Sequence, residues 1–143
     1  MKLSTGLRNY LLSTGSLKAA LAGGEIRIYS GTVPATADDA IGSAVLLVTI
    51  KNAGAGINFD TAAAAGVLPK APGETWTGVN VATNSSSFFR HVLAADTGAS
   101  STTAARIQGT CAVAGADLNL TSTSLTSGAT QTIDSYTVAQ PAG

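Results

Sequence analysis

The sequence predicts a mainly β, single-domain fold: a jelly-roll-like β-sandwich of about seven or eight strands with one N-terminal helix. Three observations carry this. Short runs rich in β-branched residues recur along the chain, many of them alternating, with Gly, Pro, Asn or Asp between them. The last third, residues 106–138, is the most regular: RIQGTCAVAG, then ADLNLTSTSLTSG, then ATQTIDSYTV. Only residues 3–22 carry a helical period. At 143 residues the chain fits one domain, 1–143, with its own core. The helical segment takes 3–22 and the sandwich 25–138.

Within 3–22, Leu3, Leu7, Tyr10, Leu11, Leu17 and Leu21 fall roughly on one face. Ser4 or Thr5 can cap the start, and Gly23 and Gly24 end the segment. Gly15 weakens the middle, so one helix and two short ones around a break at 13–16 both fit. EIRIYS at 25–30 reads as a half-buried strand, with Ile26 and Ile28 on one face and Glu25, Arg27 and Tyr29 on the other. Residues 31–43 are a loop, in which Asp38 can cap a short helical turn through Ile41. VLLVTIK at 45–51 looks buried on both faces, as a central strand does.

NAGAG at 52–56 is a turn, and a short strand follows at 57–59. Pro69 and Pro72 make 68–73 an extended connection. ETWTGVNVA at 74–82 and FFRHVLAA at 88–95 are strands, and 96–105 is a polar loop. In RIQGTCAV, Ile107, Cys111 and Val113 share one face, and Arg106, Gln108 and Thr110 the other. Leu118 and Leu120 mark the next strand. In the last one Ile133 is out of phase with Tyr136 and Val138, and a bulge at Asp134 and Ser135 repairs the phase.

Charged residues are only 11% of the chain, and eight basic residues balance eight acidic ones. No two basic residues are adjacent, so nucleic acid finds no clustered cation to bind. A surface with so little charge suits a protein packed against others. Arg8 and Asn9 interrupt the apolar run near the start, so no signal-peptide core is expected, and no run reaches membrane-spanning length.

The residue types that do chemistry are sparse. His91 is the one histidine and lies in a dense apolar strand, which reads as structural. Cys111 is the one cysteine, on the same strand face as Ile107 and Val113, and reads as a small core hydrophobe. Asp38 and Asp39 are adjacent, whereas a calcium loop alternates its oxygen donors. A glycosidase pair could come from any two of Asp60, Glu74, Asp96, Asp117 and Asp134, though Asp117 and Asp134 read better as turn or solvent-face residues. No nucleophile elbow and no phosphate-binding glycine motif is present. Trp76 reads as a core anchor, with stacking of a sugar by Trp76 or Tyr136 as the competing reading. No catalytic, metal or cofactor residue is therefore assigned.

STGLRNYLLSTGSLKAAL, IRIYSGTVPATADDAIGSAVLLVTI, RIQGTCAVAGADLNL and GATQTIDSYTV together resemble small structural proteins of tailed bacteriophages. The resemblance runs through most of the chain and rests on composition and order. It implies a non-enzymatic virion component, with a capsid decoration (cement) protein the best match. Such proteins are commonly β-rich, sit between major capsid proteins and often form dimers or trimers. The implied partner is the major capsid protein, with self-assembly as a homo-oligomer and no nucleic acid or membrane. The implied location is the virion, assembled in the bacterial host cytoplasm. Tail or head–tail joining components, and a carbohydrate- or receptor-binding module, are the alternatives. The expected contact residues are Leu7, Tyr10 and Leu11 on the helical segment and Pro34, Asp38 and Asp39 in the acidic loop. The polar loop 96–105 is a further expected surface.

Overall fold

The computed structural model describes residues 1–140. In chain order the elements are β1 (Lys2–Leu3), α1 (Thr5–Ser13), α2 (Leu17–Ala20), β2 (Glu25–Ser30), β3 (Val45–Asn52), β4 (Val67–Pro69) and β5 (Trp76–Val79). Then follow β6 (Asn84–Ser85), β7 (Phe88–Val92), β8 (Arg106–Ala112), β9 (Leu118–Asn119), β10 (Ser124–Leu125), β11 (Thr130–Ile133) and β12 (Thr137–Ala139). Eight strands make one sheet in the order β1-β8-β7-β2-β3-β5-β11, with β9 parallel beside β8. The pairs β4·β12 and β6·β10 are separate two-stranded ribbons.

The helical segment resolves into two short helices. Ser4 caps α1 by accepting from the Leu7 N–H (3.1 Å), and Ser16 caps α2 by accepting from the Ala19 N–H (3.2 Å). Between them the N–H groups of Thr14 and Gly15 both donate to the Tyr10 carbonyl, closing the first helix. Leu7, Leu17, Ala20 and Leu21 are buried in the main core with Ile26, Ile28, Ile50, Trp76, Phe89 and Ile107. Leu118, Leu120, Leu125 and Val138 join the same core. The helices and the segments that carry the ribbons thus pack on one face of the sheet as a second layer. The fold is mainly β and sandwich-like. A jelly roll would divide its strands evenly, whereas here the ribbons are minor and one sheet dominates.

β3 lies between β2 and β5, the central place its apolar run predicts, but it is not buried on both faces: Val45 is exposed and Leu46, Thr49 and Lys51 are only half-buried. Its partners shift from Ile28↔Val48 to Tyr29↔Leu46, so Leu47 is an extra residue in the ladder. This is where the sheet carries its bulge. At the other end of β3 the chain reverses through Ala53 (φ 48°) and Gly54 (φ 86°), with Asn52 and Ala55 exchanging backbone bonds at 2.9 Å.

Several expectations need correction. β2 is buried on both faces, since Glu25 and Tyr29 are covered as well as Ile26 and Ile28. Likewise Arg106 and Gln108 on the polar face of β8 are each 1% exposed, while Val113 lies past the strand and is exposed. Loops 31–43 and 96–105 bond to this face and cover it. Asp38 caps no turn through Ile41. Its carboxylate instead accepts from the Thr5 N–H and hydroxyl at the start of α1 (2.8 and 2.6 Å). The proline-restricted connection contains a strand, β4, paired with β12. Finally, the phase slip at Asp134 and Ser135 is a break between two strands and not a bulge. β11 pairs with β5, then the chain leaves that ladder and β12 pairs with β4.

Candidate functional site

The polar face of the sheet divides in two. Over β8, β7 and β2 it holds a buried charged layer. Arg90 donates from Nε and Nη2 to Gln108 Oε1 (3.0 and 2.8 Å) and from Nη2 to the Asp39 carbonyl (2.7 Å). Gln108 Nε2 donates to the Pro34 carbonyl (2.8 Å). Arg106 grips Asp96 through Nε and Nη2 (2.5 and 3.1 Å) and also donates to the Ala99 and Ala37 carbonyls. Arg27 pairs with Glu25 (2.7 Å) and donates to the carbonyls of Asp96 and Ala94. Three arginines from neighbouring strands therefore staple two long loops to the sheet. Burial, and then the charge of Arg106, lower the Arg90 pKa. The long planar donor fork suits this task, because several carbonyls can share one cation.

Over β3, β5 and β11 the same face is open. The register places Lys51 opposite Thr77, Thr132 opposite Thr77 and Thr130 opposite Val79. Lys51 bonds Glu25 (3.2 Å), so the one cation of this patch is already matched. Val79 at the end of β5 is 58% exposed, and Val81, two residues past the strand with its N–H on the Leu47 carbonyl (2.7 Å), is 66% exposed. The result is a Thr-rich strand surface, with Val79 and Val81 exposed at and just past the end of β5. Val79 and Val81 fall in the strand expected at 74–82 and are not among the expected contact residues. Their alternation with Trp76 was the available signal.

The expected contact residues separate. Leu7 is fully buried, so no partner reaches it. Tyr10 and Leu11 are half-buried against the core. Leu11 lines an apolar groove of about 380 Å³ with Leu17, Leu68 and Val138, between the helices and the β4·β12 ribbon. Pro34 is half-buried and serves through its carbonyl. The Thr5 hydroxyl and N–H hold the Asp38 carboxyl below the usual range. Asp39 is exposed and accepts from the Thr36 N–H and hydroxyl (2.8 and 2.9 Å). The two acids thus face different partners. Among the described residues no three His, Cys, Asp or Glu side chains converge as metal ligands would.

His91, Trp76 and Tyr136 meet in the core. The His91 ring lies 5.3 Å from that of Phe59 and 5.7 Å from that of Tyr136, with both its nitrogens unbonded. Burial pushes its pKa down to about 3. Cys111 does not pair with it. His91 sits opposite Ile107, and Cys111 is four residues further along β8, about 14 Å away at strand rise. Burial, then the nearby Asp117 charge, push its thiol up to about 12. Trp76 and Tyr136 are at most 2% exposed, so neither offers a ring face to a sugar.

The isolated acids are mostly committed. Burial raises the Glu74 carboxyl, but donors from Asn58 and the Trp76 indole outweigh it and hold the pKa low. Asp60 accepts from the Thr61 N–H and Asp96 holds Arg106. Asp117 and Asp134 line one polar cleft of about 250 Å³. Burial raises the Asp117 carboxyl, yet the Met1 amine (2.7 Å) and Thr110 bring it below the usual range. A glycosidase acid needs the opposite shift. A scan against protein-family models and searches of curated proteins and of solved structures find no match to this chain.

Proposed function

We propose that this chain is a non-enzymatic structural subunit of a tailed-phage virion, a capsid decoration protein seated between major capsid proteins. The observation that carries the reading is the open Thr-rich face of β3, β5 and β11, with Val79 and, just past β5, Val81 more than half exposed. Single exposed apolar residues are ordinary, but two of them bordering an open, nearly uncharged sheet surface suit a flat protein contact. The stapled loops support the same reading, because a clamp between subunits works best when it is already rigid. The burial of His91, Cys111, Trp76 and Tyr136 leaves this surface, and not a chemical centre, as the prominent exposed feature.

The test is reconstitution. The purified protein should co-sediment with expanded capsids of its phage that lack it and raise their resistance to heat. Failure to bind such capsids at any salt concentration sinks the reading. Density for the protein in a tail or neck ring of the purified virion would move it to the head–tail joining class, where contacts are heterologous.

A further inference from the structure

We propose that the cleft beside β11 takes an extended segment of another polypeptide, which adds to β11 as a strand and sets a basic side chain against Asp134. β11 is the outermost strand on its side of the sheet. The Asn80 N–H donates to the Ala129 carbonyl (2.9 Å), which fixes the hydrogen-bonding phase of the β5·β11 ladder. Gln131 and Ile133 therefore aim their peptide groups at β5, and Thr130 and Thr132 aim theirs outward. Among the described residues, the one bond to these outward groups comes from Gln131 Nε2 to the Thr132 carbonyl (3.1 Å). That carbonyl keeps a second lone pair.

The opposite margin of the sheet is protected. β1 covers β8 at Ile107 and Gln108, β9 covers it at Cys111 and Ala112, and β1 carries Lys2. Charge and coverage of this kind are what keep edges from pairing. β11 reads TQTI, with no charge and no Pro. Its free side runs into the polar cleft, lined by Asp117, Asn119 and Thr121 together with Thr132, Asp134 and Thr137. Asp117 is taken up by Met1 and Thr110. Asp134 is exposed and has no bonding partner among the described residues, so an incoming cation is the complementary charge. Outward groups two residues apart match the period of an added strand. The β11 edge carries no basic residue, so a second copy pairing edge to edge would bring no cation from that strand to Asp134, and the segment comes from a different protein. The inference does not rest on the virion reading, since it needs only the edge and the cleft.

The full chain, panned against a random linear peptide library, should enrich peptides that combine β-branched residues with Lys or Arg. A synthetic enriched peptide should slow hydrogen exchange at the Thr130 and Thr132 amides by at least ~10-fold. Thr132→Pro removes an outward N–H without touching the β5 ladder, and should weaken binding by at least ~10-fold. Asp134→Asn should erase the preference for basic over neutral peptides. If Thr132→Pro fails to fold, the exchange measurement on the unaltered chain decides. Three results overturn the proposal: no enrichment, protection at other amides, or equal binding by folded Thr132→Pro. Concentration-dependent self-association of the protein alone that protects the same two amides would also overturn it, by giving the edge to a second copy.

Discussion

His91 is fully buried among aromatic rings, with neither nitrogen bonded, and this makes it costly to charge. Its pKa is about 3 in the fold against 6.5 for the free side chain. Between those values the unfolded chain takes up a proton that the folded chain refuses. Stability is therefore lost as pH falls below 6.5, by about 1.4 kcal/mol per pH unit. Glu74 and Asp117, held low in the fold, add to the loss only as pH falls into the range below about 4.5. Urea unfolding at pH 7 and pH 5 should thus show a drop of about 2 kcal/mol. His91→Leu should remove most of that drop, and an unchanged slope would assign it to other groups. Gly6 makes a second case. A Cβ there would lie 2.3 Å from the Thr103 carbonyl oxygen, where α1 meets the backbone of loop 96–105. Ala is favoured over Gly in a helix by about 1 kcal/mol, but this contact reverses the sign. Thermal melting of Gly6→Ala should report a net loss of about 1–3 kcal/mol. An increase in melting temperature would mean that the loop yields.

At the scale of elements, the stapled loops are the main event. Glu25, Arg27, Arg90, Arg106 and Gln108 alternate with apolar residues, and alternation alone reads as a face open to water. Their burial depends on carbonyls from residues 34–39 and 94–99, all but one of which, Ala99 on Arg106, lie tens of residues away along the chain. No local pattern announces those partners. Asp96→Asn would leave Arg106 buried without its anion and should cost about 3–5 kcal/mol in equilibrium unfolding. Hydrogen exchange should rise in 31–44 and 96–105 well before it rises in β2 and β7. Uniform loosening would mean that the pair stabilises the whole sheet and not the loops. The break between β11 and β12 teaches the same lesson. The phase slip at Ile133 and Tyr136 was legible, but a bulge and a change of ladder leave the same trace in sequence, and only the partners β5 and β4 tell them apart.

At the scale of the whole molecule, net charge is zero and the open face carries one matched cation. On the proposed virion role, capsid binding should respond weakly to salt and strongly to charge placed on that face. Val79→Lys with Val81→Lys alters exposed positions only, so the melting temperature should hold while co-sedimentation with capsids falls at least ~10-fold. Unchanged co-sedimentation would move the contact elsewhere. Much about this protein followed from its sequence alone. The mainly β class, the central place of β3, the capped start of the helical segment, and the core roles of His91, Cys111 and Trp76 all follow from periodicity and residue type, which act locally. Tertiary structure decided what depends on distant partners. It buried Leu7, bound Asp38 to α1, covered half of the polar face and left Val79, Val81 and the edge of β11 open. Burial and pairing are set by which segments meet across the fold, and a strand's own alternation is the same whether its second face meets water or a loop.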